Sequence, residues 1–224
     1  ERRANSIQYE SPTWGGVQFG VQYATEEAKR NAKQSEKTLS LGVKYDLGPV
    51  YVSLAHEIHN DYQGGTSNVP TALKNAADGN SSDHATQLGV AYRISKQHKV
   101  GFDAIQKYYS ESGTAGKFET YQNMAYQIAI ENQWTDKVRT AASVVSSEAG
   151  SCTRVAATCN TDGLEGMKYT LGVRYDLDRG ISLFAAASLL KQGRSAQYQV
   201  KEFSNKPNIG EDVQHVAVGM AYSF

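Results

Sequence analysis

The sequence lacks any long hydrophobic run and contains only four prolines and two cysteines among its 224 residues. Its longest apolar stretch, Leu183–Leu190, contains a serine and is far shorter than the ~18 residues that a membrane-spanning helix needs. Charges of the two signs balance, with 23 Lys and Arg against 23 Asp and Glu. These features exclude a helical membrane protein, and nothing in the charge suggests a nucleic-acid partner.

The mean hydropathy of −0.52 would by itself be typical of a soluble protein. However, aromatic residues make up 10% of the chain and include 14 Tyr, a content that disordered chains seldom reach. The chain is therefore expected to fold, with its hydrophobic residues arranged by a periodic pattern.

A short phrase recurs along the chain: LGVKYD at 41–46, LGVAYR at 88–93, LGVRYD at 171–176 and VGMAYSF at 218–224. Apolar residues alternate with polar or small ones in each copy. In the first copy, Leu41, Val43 and Tyr45 share one parity, whereas Lys44 and Asp46 share the other. A period of two residues is typical of a strand with one apolar and one polar face.

The same alternation predicts eleven strands at roughly 5–12, 16–25, 37–46, 50–60, 83–94, 99–110, 121–134, 137–147, 167–176, 181–191 and 212–224. Most approach or exceed the ~9–11 residues that a tilted strand needs to cross a bilayer. Short turns alternate with long polar connections at 26–36, 61–82, 111–120, 148–166 and 192–211.

This alternation of connections predicts a single all-β domain over 1–224, folded as a transmembrane antiparallel β-barrel. Such barrels have tight turns at one end and long loops at the other, with an apolar outside and a polar inside. The Tyr that ends each phrase is then expected in an aromatic girdle at the membrane interface. The alternative is a large soluble β-sandwich.

Both ends of the sequence resemble the general porins of Gram-negative bacteria, the sixteen-stranded trimeric type of neisserial and related β-proteobacterial outer membranes. The opening RRANSIQYESPTWGGVQFGVQYA resembles that family's pattern of Arg, Asn-Ser, Tyr, Ser-Pro and a strand ending in Gln-Tyr-Ala. The ending AVGMAYSF resembles its closing strand. The resemblance spans the whole chain and implies that it supplies strands six to sixteen, without the first five strands and the constriction loop.

The resemblance implies a general diffusion porin of the outer membrane, which passes ions and small hydrophilic solutes and needs neither catalysis nor a cofactor. The alternatives are a substrate-selective outer-membrane channel and a surface-exposed structural or adhesive barrel. Expected partners are two further copies in a homotrimer, outer-membrane lipid and lipopolysaccharide, the barrel-assembly machinery and the solutes.

Assigning the polar parity of each strand to the barrel interior predicts a set of pore-lining residues. They are Gln8, Glu10, Gln18, Gln22, Lys44, Glu57, Arg93, Asp103, Lys107, Gln127, Glu131, Arg139, Lys168 and Arg174. Cations outnumber anions in this set, which predicts a weak preference for anions. By resemblance, Arg2, Arg3 and Gln8 lie closest to the narrowest part of the channel.

Three further features concern the last strand, the cysteines and one histidine motif. By resemblance, the assembly machinery reads alternate residues of the closing strand, namely Val218, Met220, Tyr222 and the terminal Phe224. Cys152 and Cys159 share a long loop that contains no His, which favours a disulfide over a metal site. In HEIH at 56–59, strand geometry points the two histidines to opposite faces, so they cannot share a metal.

Overall fold

The computed structural model describes residues 5–25, 36–61, 69–74, 80–111, 115–177, 180–198 and 207–222. These residues form twelve strands and one turn of 3₁₀ helix, Thr71–Leu73. The strands are β1 Ser6–Glu10, β2 Val17–Thr25, β3 Lys37–Leu47, β4 Val50–Asn60, β5 Ser81–Arg93, β6 His98–Glu111, β7 Phe118–Gln133, β8 Val138–Ser147, β9 Ser151–Arg154, β10 Gly166–Asp176, β11 Ile181–Gln192 and β12 Val213–Tyr222. None of the described helical residues forms a helix long and apolar enough to cross a membrane.

Eleven strands follow one another through a single open antiparallel sheet, with β1 and β12 at its two edges. These eleven confirm the strands predicted from the alternation. The prediction was wrong for 148–166, which it treated as loop throughout, because β9 lies in this segment and pairs with β7. The physical reason is the length of β7: β8 pairs with it only from Ala125 onward, and β9 pairs with backbone groups between Phe118 and Gln122 that β8 does not reach.

At one end of the strands, called the short-turn edge below, the connections are short turns, as predicted. The opposite end of the strands is called the long-loop edge. Gly48 and Pro49 alone join β3 to β4, and Gly48 adopts a positive φ of 64°, a conformation that costs glycine least. Between β7 and β8, the Thr135 hydroxyl accepts hydrogen bonds from the backbone N–H groups of Lys137 and Val138 at 3.2 and 3.0 Å. These side-chain contacts fix the turn locally.

The register places most apolar residues of the strands on one face of the sheet. Residues directly opposite one another on successive strands form rows. One row runs Val17, Tyr45, Val52, Val90, Phe102, Ile128, Val144, Tyr169 and Leu189, all of them apolar. A shift of one residue in any strand would move its apolar side chains to the other face, so this face specifies the register.

The apolar face, called the outer face below, is uncovered. Val216, Val218 and Leu171 are 80%, 77% and 65% exposed. The phrase-ending tyrosines also lie on this face near the short-turn edge: Tyr45, Tyr92, Tyr175 and Tyr222. Because the structure contains one sheet and no second layer against it in the described chain, the sandwich alternative is wrong.

Candidate functional site

The polar face of the sheet, called the inner face below, carries most of the charged side chains of the strands. Side chains from β4 to β8 and from β10 border one cavity of about 450 Å³. Its inner-face lining includes Tyr51, Lys99, Asp103, Glu131 and Thr170. A second cavity of about 450 Å³ lies on the outer face, where its lining includes Leu171, Val173 and Val216.

The described members of the predicted pore-lining set all lie on the inner face. The register places Gln8, Lys44, Arg93, Asp103, Lys107, Glu131, Arg139, Lys168 and Arg174 there. Arg2 and Arg3 lie outside the described residues. Of the predicted assembly signal, Val218, Met220 and Tyr222 lie on the outer face, and Phe224 is outside the described residues.

A first charge cluster lies on the inner face at the short-turn edge. Arg139 and Arg174 are directly opposite on β8 and β10. Arg174 Nε donates to Asp176 Oδ1 at 2.6 Å, and Arg139 Nε lies 3.9 Å from Asp176 Oδ2. Two guanidinium groups thus share one carboxylate, which leaves a net positive charge on this part of the wall. The sequence prediction omitted Asp176, although it has the same parity as Arg174 in LGVRYD.

A second cluster repeats this composition on the neighbouring strands. Arg93, Lys99 and Glu131 lie side by side on β5, β6 and β7. Lys99 was missed because it stands at the predicted start of its strand, where parity is hardest to assign. The pairing of Lys99 with Arg93 and Glu131 places its side chain on the inner face. Like the first cluster, this second cluster carries two cations for one carboxylate.

One glycine of the recurring phrase, Gly89, makes room for polar side chains on the inner face. At Gly89, a Cβ atom would lie 2.7 Å from Ser53 Oγ and 2.9 Å from Asp103 Oδ1. The absent side chain therefore lets the Asp103 carboxylate lie across β5, where the Gln87 amide donates to it at 3.3 Å. In this copy of the phrase, Gly89 thus shapes the inner face, whereas Leu88, Val90 and Tyr92 contribute to the apolar outer face.

Toward the long-loop edge, Glu57 collects two hydrogen bonds on the inner face. The Ser40 hydroxyl donates to Glu57 Oε2 at 2.5 Å, and His59 Nε2 lies 2.6 Å from Glu57 Oε1. His56 lies on the outer face, where its Nδ1 is 2.8 Å from the Thr86 hydroxyl. His56 and His59 lie on opposite faces of β4, as the sequence predicts. In the described part of the chain, no group of three His, Cys, Asp or Glu residues is arranged to hold a metal.

A small hydrophobic cluster lies where the long loops meet the inner face. It consists of Val69, Phe118, Tyr121 and Leu164, and it is called the mouth cluster below. The Tyr121 hydroxyl donates to the Ala149 carbonyl at 2.9 Å. The cluster thus packs the β4–β5 connection and the β9–β10 connection against the start of β7.

The predicted disulfide is confirmed beside the mouth cluster. Cys152 and Cys159 are bonded with their Cα atoms 5.8 Å apart, and both pack against the cluster. The disulfide links β9, which pairs with the first residues of β7, to the β9–β10 connection that contains Leu164. Nearby, burial raises the pKa of the Tyr198 phenol, whose hydroxyl donates to the Leu164 carbonyl at 3.4 Å.

Comparison with known proteins identifies the architecture. The family model described as Gram-negative porin matches residues 1–195. No curated protein sequence matches the chain.

Solved structures with the same fold are distant in sequence. An anion-selective porin from Comamonas acidovorans superimposes with a TM-score of 0.78 at 17% identity, covering 99% of this chain and 60% of the other. OmpT, an outer membrane protein of Vibrio cholerae folded in vitro, gives 0.67 at 14% identity over 97% and 63%. The trimer form of OmpT gives 0.64 at 13% identity over 97% and 62%. The chain thus spans about 60% of the length of the first of these proteins.

Proposed function

The chain belongs to the Gram-negative porin family, and we propose that it forms most of the wall of a general diffusion pore in the outer membrane of a Gram-negative bacterium. The pore passes ions and small hydrophilic solutes down their gradients. Family membership points to a channel rather than to an enzyme. The supporting observation is the division of one sheet into an apolar outer face and a charged inner face.

The chemistry of the two faces fits this role. Apolar outer residues suit contact with hydrocarbon, whereas inner Lys, Arg, Asp and Glu side chains stay hydrated only if the inner side of the sheet holds water. In the proposed pore, Gln8, Lys44, Asp103, Lys107 and Lys168 line the wall together with the two charge clusters. Arg2 and Arg3 are proposed to lie near its narrowest part.

A preference for anions is part of the proposal. Each of the two charge clusters at the short-turn edge carries two cations for one carboxylate, and a locally positive surface raises the concentration of anions beside it. The Comamonas acidovorans protein of the same fold is described as anion-selective. This agrees with a selective channel as the second candidate function.

The complete channel is proposed to contain further strands and to be a homotrimer. An open sheet leaves unpaired backbone groups along β1 and β12, each of which costs several kcal/mol in hydrocarbon. Strands six to sixteen of a sixteen-stranded barrel would fit this chain, and OmpT occurs as a trimer. Val218, Met220, Tyr222 and Phe224 are proposed to form the signal for the assembly machinery.

Reconstitution of the complete protein into planar bilayers tests the pore. We expect stepwise conductance in groups of three, with a zero-current potential in a salt gradient that reports anion preference. A correctly folded protein that inserts without conducting would refute the proposal. Saturable block by one solute would instead favour the selective channel. Mass spectrometry of the protein isolated from outer membranes would measure its molecular mass and so test whether the polypeptide is long enough for the further strands.

A further inference from the structure

One aromatic side chain departs from the pattern of the inner face. Phe184 on β11 is 43% exposed and stands directly opposite Arg174 on β10, so it lies on the inner face. Among the described strand residues, the other large hydrophobic side chains with comparable exposure lie on the outer face. The inner face therefore exposes a large apolar side chain at one point of the described strands, directly beside the first charge cluster.

The Phe184 ring lies against β12 and not against the arginine on β10. Gly219 is the residue opposite Phe184 on β12, and a Cβ atom there would be 2.3 Å from the Cζ atom of the ring. The ring thus occupies the space that a side chain at Gly219 would fill. Within the described chain, it makes no contact with another aromatic ring or with a cationic group.

Beside this ring, the first charge cluster offers hydrogen-bond donors that the protein leaves unused. Arg174 bonds to Asp176 through Nε, and the nearest approach of Arg139 to the same carboxylate is 3.9 Å. In the residues that the structure describes, the terminal nitrogens of both guanidinium groups have no hydrogen-bond partner. A guanidinium group binds a carboxylate through two parallel N–H groups, so donors for an anion stand directly next to an apolar ring.

The surrounding charge favours an anion on this part of the wall. On the inner face of β8 and β10–β12, the described residues include Arg139, Lys168 and Arg174, with Asp176 as their only carboxylate. On the inner face of β3–β7, the register instead places more carboxylates than Lys and Arg: Asp46, Glu57, Asp83, Asp103, Glu111 and Glu131 against Lys44, Arg93, Lys99 and Lys107. An anion is therefore more stable near the arginines of β8 and β10.

Space for a planar group lies one row deeper, away from the short turns. Ala141, Gly172, Ala186 and Ala217 form this row across β8, β10, β11 and β12. None of them has a side chain larger than a methyl group, so the inner face is low and apolar here. Residues opposite one another lie ~4.5–5.5 Å apart, which is about the width of a six-membered ring.

We propose that Arg139, Arg174 and Phe184 form a binding site for solutes that combine an aromatic ring with a carboxylate. This inference rests on the proposed function, because a solute meets the inner face as it passes through a water-filled pore. The two guanidinium groups receive the carboxylate. The solute ring packs against Phe184 and over Gly172 and Ala186. The site is called the aromatic-acid site below.

The second charge cluster provides an internal comparison. Arg93 in that cluster also has an aromatic neighbour on the inner face, Tyr51 on β4. However, Tyr51 stands directly opposite Asp46 on β3, and Asp103 borders the same cavity as Tyr51. These carboxylates repel an anion, so we expect no aromatic-acid binding there. Tyr51 is therefore the matched control for Phe184.

Fluorine NMR of para-fluorobenzoate, titrated onto the complete protein in non-ionic detergent micelles, tests the site. We expect saturable line broadening with the unaltered protein. Phe184→Ala should weaken the affinity roughly fivefold through the loss of apolar and ring contact. Arg174→Gln should weaken it roughly tenfold, because the charged two-point contact is lost. Tyr51→Ala should leave the affinity unchanged.

Trifluoroacetate, a carboxylate without a ring, separates the roles of the two groups. Arg174→Gln should weaken the binding of both probes, whereas Phe184→Ala should weaken only that of para-fluorobenzoate. If Phe184→Ala does not fold, Phe184→Leu replaces it and should weaken para-fluorobenzoate binding about twofold, because the ring contact alone is lost.

Three results would overturn the aromatic-acid site. They are no saturable broadening with the unaltered protein, equal affinity for para-fluorobenzoate in the Phe184 variant, and an equal loss in Tyr51→Ala. Because the NMR titration measures binding without ion flow, a failure of this site is distinguishable from a failure of the pore, which bilayer conductance reports.

Discussion

The outer and inner faces of the same strands obey opposite rules, although their residues alternate one by one. On β10, Leu171 is on the outer face and 65% exposed, whereas Thr170 borders the inner cavity. The outer face tolerates almost no charge, and the inner face carries most of the charge of the strands. Burial within the protein therefore does not explain the alternation of apolar and charged residues. The surroundings on each side of the sheet, hydrocarbon or water, select the residues that face them.

The largest expected effect is a charge placed on the outer face. Leu171→Arg should reduce the free energy of unfolding by about 2–4 kcal/mol, because Leu171 lies near the middle of the apolar band. Urea titration in lipid vesicles would measure it. The control Thr170→Arg, one residue away on the inner face, should cost less than about 1 kcal/mol. Equal losses in the free energy of unfolding for both variants would contradict the conclusion that the two faces have different surroundings.

Removing the disulfide should have the next largest effect. Cys152→Ser with Cys159→Ser releases a small ring, for which a loop-entropy model gives about 2–3 kcal/mol. We expect the loss in the mouth cluster and β9, detected as faster amide exchange there. Exchange in β10–β12 should not change. Uniformly faster exchange would contradict a local role for the bridge.

A change of charge on the inner face should alter selectivity more than stability. Arg174→Gln leaves Arg139 and Asp176 balanced, so we expect the anion-to-cation permeability ratio to fall roughly two-fold. Stability should change by less than about 1 kcal/mol, because the ion pair is exposed. The control Lys191→Gln, which removes a cation from the outer face, should leave the zero-current potential unchanged.

The smallest expected effect concerns two glycines of the recurring phrase. Gly89→Ala should displace the Asp103 carboxylate and change single-channel conductance slightly, with a stability change within about 0.5 kcal/mol. Gly42→Ala is the control, because its nearest neighbour would be the Leu54 carbonyl oxygen at 3.9 Å. A conductance change in Gly42→Ala of the same size would refute the explanation for Gly89.

Much of the fold was predictable because each strand carries its own signal. The parity of Leu41, Val43 and Tyr45 identifies the outer face without knowledge of any neighbour. β9 was missed because Ser151–Arg154 has no clear alternation and forms only where β7 outruns β8. The mouth cluster was missed for a similar reason, since Val69 and Leu164 come from loops far apart in the sequence.

The candidate site divides in the same way. The face of each wall charge followed from parity, but the sharing of Asp176 between Arg139 and Arg174 depends on the register between β8 and β10. The contact between the His56 and His84 rings, whose centroids are 5.9 Å apart, also required the register. His56 and His84 are separated by a long connection, and only the pairing of β4 with β5 brings them onto one surface.

Eleven of the twelve described strands, their two faces and the pairing of the two cysteines are encoded locally, because a period of two residues and a short loop are local properties. The sharing of carboxylates between charges, the packing of the loops and the position of polar groups on the outer face follow only from the assembled sheet. These features depend on contacts between strands, and the register that creates them is set by the whole sheet at once.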